Sequence, residues 1–371
     1  MPWGRSRTVC GGDCCGLDKT TGGICMATVR DELLNGVAPS LDGLADFLAH
    51  IDDDDRKILY ATSGALRDEM FGRRVYFRGL IEFTSYCAQD CLYCGIRCSN
   101  RNASRYRLTY DQILDCCSNG HELGYRSFVL QGGEDPYFDD DRMVAIVAGI
   151  RAAYPDCAIT ISIGERSRAS YQRLYDAGAN RCLLRHETAD AGHYARLHPE
   201  SQTLENRLRA LRDLKEIGYQ VGAGFMVGSP YQTPRNLAQD LLFLHDFQPH
   251  MIGIGPFIPH HETPLAAYPP GALTTTLDML SITRLLVPLA LLPATTALAS
   301  IAEDGRIRGL DAGANVVMPN LSPSDVRKQY AIYDNKKSAG TEAAESLDAM
   351  QRELRTAGYD PDMSRGDWTD K

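Results

Sequence analysis

Cys87, Cys91 and Cys94, in the run TSYCAQDCLYCGIR, are spaced CxxxCxxC. Three thiolates so spaced can hold three corners of a 4Fe-4S cube and leave the fourth iron open. An open iron can chelate the amino and carboxylate groups of S-adenosylmethionine (SAM). An electron passed from the cluster into the sulfonium then releases methionine and a 5′-deoxyadenosyl radical. Zinc suits this spacing poorly, because it takes four ligands and favours paired CxxC units. Cys98 extends the run to CxxxCxxCxxxC and keeps a rival reading open, a fully ligated electron-transfer cluster. Tyr93, directly before the last ligand, either covers the cluster or the SAM base with its ring or only packs.

Other residues have types suited to a charged ligand. Gly132 and Gly133 in GGEDP allow the backbone to approach a ligand closely, and Glu134 can accept bonds from an ammonium group. Glu165, Arg185 and Glu187 can bind ribose hydroxyls and a carboxylate, for which a guanidinium is the bidentate partner. Gly222, Gly224 and Gly228 fit either a nearby ligand or tight strand packing. His260 and His261 in PHHETP read as solvated or structural, with metal binding the alternative. Cys10, Cys14, Cys15 and Cys25 lack His partners and regular spacing and read as mobile thiols, while Cys116, Cys117, Cys157 and Cys182 read as small core residues. No side chain is singled out as a catalytic acid, base or nucleophile.

From Val75 onward, short β-rich runs alternate with longer amphipathic segments, the rhythm of a parallel sheet. The runs are Val75–Phe83, Ser127–Gln131, Ala158–Ile163, Arg181–Arg185, Gln220–Met226, Met251–Ile254, Ala294–Leu298 and Asn315–Met318. Helical patterning falls over Asp111–Leu123, Arg142–Tyr154, Arg168–Ala177, Leu204–Ile217, Arg235–Asp246 and Thr274–Leu286. Eight such strands predict an α/β fold, a (β/α)8 barrel of the TIM type, whose strand C-termini form the active-site mouth. The cysteines, Glu134, Glu165, Arg185 and Glu187 all follow strands, whereas Thr295 and Thr296 are expected within the seventh. The expected organisation is a mobile Cys-containing leader over 1–35, a helical lead-in over 36–74, the barrel over 75–335 and a polar tail over 336–371.

The 371 residues carry 39 basic and 48 acidic side chains, a net charge of −9, with no basic stripe to draw in nucleic acid. The longest apolar stretch, Leu285–Ala302, is broken by Pro288 and Pro293 and reads as a core helix running into a core strand rather than a membrane span. No apolar signal segment opens the chain, so a cytoplasmic protein with no membrane and no nucleic-acid partner is expected.

Across about residues 40–335 the sequence resembles the HydE family of radical SAM maturases of FeFe-hydrogenase. IEFTSYCAQDCLYCGIR, YRLT, VLQGGEDPY, ISIGE, LLRHETAD, ENRL, LKEIGYQVGAGFMVGSPYQT, IGIGPFIPH, TPLA, PATTA and GANVVMPN carry the likeness. Biotin synthase and methylornithine synthase share the overall plan, and RHETAD, GIGPFIPH and PATTA narrow it to HydE-like proteins. The resemblance implies a closed internal cavity with the 4Fe-4S cluster and SAM at the top and a small substrate below. It further implies a part in building the diiron subcluster of the hydrogenase from a cysteine-bound iron carbonyl cyanide precursor. By matching motif, Glu134, Glu165, Arg185 and Glu187 should contact SAM, while Gln131, Thr160, Met226, Thr295, Thr296, Tyr330 and Tyr333 should line the substrate cavity. A reductant of the ferredoxin or flavodoxin type and the other hydrogenase maturases are the partners so implied. Some members hold a second cluster with three cysteines after the eighth strand. This chain has no cysteine beyond Cys182, and no such cluster is expected. A paralogue running a rearrangement like that of methylornithine synthase, and a non-catalytic iron-sulfur carrier, are the alternatives.

Overall fold

The computed structural model describes residues 28–336 and 343–369. The first predicted strand is two, β1 (Arg74–Phe77) and β2 (Gly79–Thr84), followed by β3 (Ser127–Gly132), β4 (Ala158–Ser162), β5 (Arg181–Leu183) and β6 (Gln220–Ala223). Then come the short pieces β7 (Met226–Val227), β8 (Met251–Ile252), β9 (Gly255–Pro256), β10 (Val316–Val317) and β11 (Asp360–Asp362). Strands β2, β3, β4, β5, β6 and β8 pair in parallel in that order. Single bridges carry the sheet onward, from Met251 to Leu291 and from Pro293 to Val316, and β10 pairs with β1. The ring thus closes on itself, and every stave is parallel, as a (β/α)8 barrel requires.

The intervening helices fall where the apolar period predicts, including Tyr110–Glu122, Asp140–Ala153, Leu204–Ile217 and Leu273–Leu286. Their starts are set by short polar caps. Thr109 and Gln112 form a reciprocal capping box, and Thr233 caps the helix that opens with Pro234.

The seventh stave differs from the expectation. Ala294–Leu298 is not a strand: Thr295 is the extended N-cap residue and Thr296 the first residue of the helix Thr296–Ile301. The bridging residues are Leu291 and Pro293 instead. Proline has no N–H to continue a ladder, and threonine suits a helix N-terminus as readily as a strand. The β-branched pair therefore gave a misleading strand signal.

Both ends add structure. A helix, Val29–Leu34, capped by Thr28 and Asp31, falls inside the stretch read as a leader. Residues 1–27, with Cys10, Cys14, Cys15 and Cys25, lie outside the described residues. At the other end, the helix Ala343–Thr356 leads into β11, which pairs in parallel with β1. Asp367 then meets the buried Arg181 guanidinium at 2.7 Å, so the tail closes the lower end of the barrel. Among the described residues no helix is long and apolar enough to cross a membrane.

Candidate active site

The loop after β2 carries the cysteines, and hydrogen bonds from three directions fix it over the barrel mouth. The N–H groups of Ala88, Leu92 and Gly95 donate to the carbonyls of Glu134, Leu197 and Ile332 at 2.8, 2.9 and 2.9 Å. Inside the loop, Arg97 grips Asp90 at 2.7 and 2.6 Å, and Arg105 donates to the Ile96 and Arg97 carbonyls. Behind it, Arg107 holds Asp135 at 2.7 and 2.9 Å, so the Asp of GGEDP braces the loop. Gly133 lies against the cysteine segment itself: a Cβ there would stand 2.2 Å from the Tyr86 carbonyl oxygen and 2.7 Å from Cys87 Cβ. A close backbone approach accounts for that glycine.

Cys87, Cys91 and Cys94 are half-buried, while Cys98 is exposed. A tetrahedral zinc ion would draw its sulfur ligands to about 3.8 Å from one another, given Zn–S bonds of about 2.3 Å. Among the described residues, the groups whose ligand atoms all lie within 4.8 Å of one another are His121, Asp156 and Cys157, and His260, His261 and Asp334. Cys87, Cys91 and Cys94 do not form such a group. Burial pushes the Cys94 thiol up to about 12, and it raises Cys87 and Cys91 as well. The nearby Arg105 and Arg207 do not offset it. A multi-iron group would supply the positive charge that three half-buried thiolates need, so the donor set fits one.

Around the mouth stand the expected SAM-binding residues. The half-buried Glu134 carboxyl is raised by desolvation, opposed by the Gln89 amide, which donates to it at 2.7 Å. Its other oxygen accepts the Glu165 N–H at 3.3 Å. Gly164, at φ +75°, leaves room for this side chain, since a Cβ there would lie 2.1 Å from Glu134 Oε1. Glu165 is paired with Arg207 at 2.6 Å, and Arg207 also donates to the Arg185 carbonyl at 2.9 Å. Arg185 Nη2 and Glu187 Oε2 form an ion pair at 3.2 Å without hydrogen-bond geometry, and Arg185 Nε is buried with no hydrogen-bond partner among the described residues. Glu187 has φ +66°, a left-handed conformation unusual for a non-glycine residue. The fully buried His186 and Asp240 stand 3.4 Å apart beside this bend. Burial holds His186 down to about 3.

Tyr93 does not stand alone over the cysteines. Its ring meets His198 edge-on at 5.5 Å, its hydroxyl donates to His198 Nε2 at 3.2 Å, and it packs on a small cluster of Leu197, Met226, Phe257 and Leu265. Met226 thus shares an apolar cluster with Tyr93 at the end of the fifth stave. Deeper in the lumen, the Gln131 amide donates to the Tyr330 hydroxyl at 3.4 Å, and burial pushes the Tyr333 phenol up to about 12. The hydroxyls of Thr160 and Thr295 are buried without a hydrogen-bond partner, as are two guanidinium nitrogens of Arg78. Thr160 and Arg78 share a cavity of about 20 Å³. Thr296 lines a separate cavity of about 340 Å³ with Glu82, Asn320 and Lys336. Buried donors left unpaired are costly and mark places that a polar ligand can complete.

Arg207, Arg78, Glu82 and Lys336 were not anticipated as site residues. Arg207 was legible only as part of ENRL, and Arg78 only as a charge within a strand run. The glycines around the fifth stave have a packing cause: a Cβ at Gly224 would lie 2.0 Å from the Gly253 carbonyl oxygen, and one at Gly228 2.4 Å from Gly271 Cα. His260 is buried under Gly95, where a Cβ would reach its ring at 2.3 Å, and His261 is exposed and bonded to Asp334 at 2.8 Å.

Residues 81–244 match the family model described as the radical SAM superfamily. The chain is 42% identical over 310 residues to the [FeFe] hydrogenase maturase subunit HydE of Thermotoga maritima, covering 83% of this chain and 88% of that one. It is 30% identical to a 3-methylornithine synthase of Methanosarcina barkeri, over 90% of this chain and 93% of the relative. A crystal structure of methylornithine synthase superposes with a TM-score of 0.80 at 28% identity, covering 90% of this chain and 97% of the other. Closed parallel barrel, cysteine loop at its mouth and sequence likeness over nearly the whole chain agree, and the chain belongs to the radical SAM superfamily, in the family of the hydrogenase maturase HydE.

Proposed function

We propose that Cys87, Cys91 and Cys94 ligate a 4Fe-4S cluster, and that Glu134, Glu165, Arg185 and Glu187, with Gly132, Gly133 and Tyr93, receive SAM. When bound, the cluster supplies the electron that splits the SAM sulfonium into methionine and a 5′-deoxyadenosyl radical. The chain's own part is positional. Gly133 allows the strand end to touch the cysteine loop, Arg207 aims Glu165, and Arg185, whose Nε has no hydrogen-bond partner, can receive a carboxylate. The barrel wall shields the reacting centre from water.

The substrate reading follows the family: a small, anionic, cysteine-bound iron carbonyl cyanide precursor of the hydrogenase diiron subcluster. Its proposed seat is the lumen bounded by Gln131, Thr160, Met226, Thr295, Thr296, Tyr330 and Tyr333. The observation that carries this reading is the set of buried donors without partners, Thr160, Thr295 and Arg78. They suit an anion and not an apolar molecule. A ferredoxin- or flavodoxin-type reductant, exchange with other hydrogenase maturases and a cytoplasmic setting complete the proposal.

The test is anaerobic incubation of reconstituted protein with SAM, dithionite and a synthetic precursor of this kind. Conversion of the precursor together with 5′-deoxyadenosine supports the reading. SAM cleavage with the precursor returned unchanged would instead favour a paralogue with another small substrate.

A further inference from the structure

Glu82, on β2, is 1% exposed, and its carboxylate accepts from Asn320 Nδ2 at 2.8 Å and from Lys336 Nζ. Its backbone is held on both sides, by Ser322 Oγ at 2.8 Å and Tyr106 OH at 2.7 Å, which fixes where the side chain starts. Lys336 is not spent on Glu82 alone. Its ammonium also donates to the Tyr330 carbonyl at 3.1 Å and lies 4.7 Å from the centre of the Tyr330 ring. Tyr330 in turn accepts from Gln131. Between the two anchors, the Ile332 carbonyl receives the N–H of Gly95, the residue after Cys94. One short segment, residues 330–336, thus touches both the cysteine loop and the lumen wall.

Buried cations that merely fasten this fold behave differently. Arg67 and Arg284 are buried and donate to backbone carbonyls of Leu310, Ala314, Gly313 and Ala290 in closed packing. Glu82 and Lys336 instead line open space, the 340 Å³ cavity they share with Thr296 and Asn320. We propose that Lys336, held by Glu82, is a positioning residue for the substrate: it fixes Tyr330, and through Tyr330 the Gln131 amide, in the wall that an anionic substrate meets. This inference rests on the substrate reading above.

The test compares Lys336→Met, Lys336→Arg and the double change Glu82→Gln with Lys336→Met. Two readouts are taken: the ratio of 5′-deoxyadenosine to precursor-derived product, and the affinity of SAM-free protein for the synthetic precursor, followed by its infrared carbonyl bands. Lys336→Met should raise the ratio and weaken the affinity, each by roughly tenfold to a hundredfold, the upper value being the scale of loss from a misplaced group. Lys336→Arg should recover most of both. The double change leaves no unpaired buried charge and keeps the comparison valid if Lys336→Met folds poorly. It should stay uncoupled. If it regains the wild-type ratio and affinity, the pair is only a fastener and the inference fails. If wild-type protein gives no product from the precursor, the substrate reading itself fails, a distinct outcome.

Discussion

The Arg207 guanidinium lies 2.6 Å from Glu165 and donates to the Arg185 carbonyl at 2.9 Å, so one side chain from the helix Leu204–Ile217 sets two strand-end residues at once. Removing it strands the nearly buried Glu165 carboxylate, at a cost of about 3–5 kcal/mol. Arg207→Met should therefore lower both thermal stability and SAM affinity. Arg207→Lys restores the charge without the two-pronged geometry and should recover stability more than affinity. Equal recovery of the two, measured by thermal melts and SAM titration, would deny Arg207 its aiming role.

Cys98 is exposed whereas Cys87, Cys91 and Cys94 are half-buried, and the proposed three-cysteine ligation does not use it. Reconstituted protein should carry about four irons per chain, one cubane's worth, and Cys98→Ala should retain them. Iron and sulfide analysis decides the point. Loss of iron in Cys98→Ala would mean a fourth cysteine ligand.

Thr295 and Thr296 should behave differently, because they occupy a cap and a first helical turn instead of one strand. Thr295 Oγ1 is buried, unpaired, and 3.0 Å from where a Cβ on Gly255 would sit. Thr295→Val should raise the ratio of 5′-deoxyadenosine to product, by a few-fold to about tenfold if one substrate hydrogen bond of about 0.5–1.5 kcal/mol is lost. An unchanged ratio would make Thr295 a packing residue.

His186 and His198, both buried, are held down to about 3 from an ordinary 6.5. Between those values the unfolded chain binds protons that the folded chain does not, so stability rises with pH through this window. It is complete above about pH 6.5 and falls on acidification by up to roughly 1.4 kcal/mol per pH unit per histidine. His198 Nε2 accepts from Tyr93, and Nδ1 meets the Tyr194 carbonyl at 3.0 Å, bonds a glutamine can partly replace. In His198→Gln the loss of urea stability between about pH 7 and pH 5 should be visibly shallower than in wild type. Parallel losses would place its titration elsewhere.

Much of the barrel was legible because its determinants are local. Short β-rich runs marked Ser127–Gln131 and Ala158–Ile163, and amphipathic segments marked the helices that follow, each within a residue or two of the observed ends. The seventh stave was not legible, since its pairing through Leu291 and Pro293 depends on neighbours distant in sequence. The same limit hid Arg207, Glu82 and Lys336. Each is an ordinary charged residue in its own segment and gains meaning only from a partner 42 or 254 residues away. The cysteine loop was the opposite case, three cysteines packed into one short stretch of chain. β11 was missed because Asp360–Asp362 has no strand composition, and β1 supplies the pairing.

The most direct measurement is electron paramagnetic resonance of dithionite-reduced, reconstituted protein with and without SAM, followed by assay of 5′-deoxyadenosine and methionine. An open iron held by Cys87, Cys91 and Cys94 should give a spectrum that SAM perturbs and the two products in equal amounts, with both effects lost in Cys91→Ala. A spectrum untouched by SAM and no 5′-deoxyadenosine, from protein carrying a full cluster, would show a closed electron-carrier site and contradict the assignment.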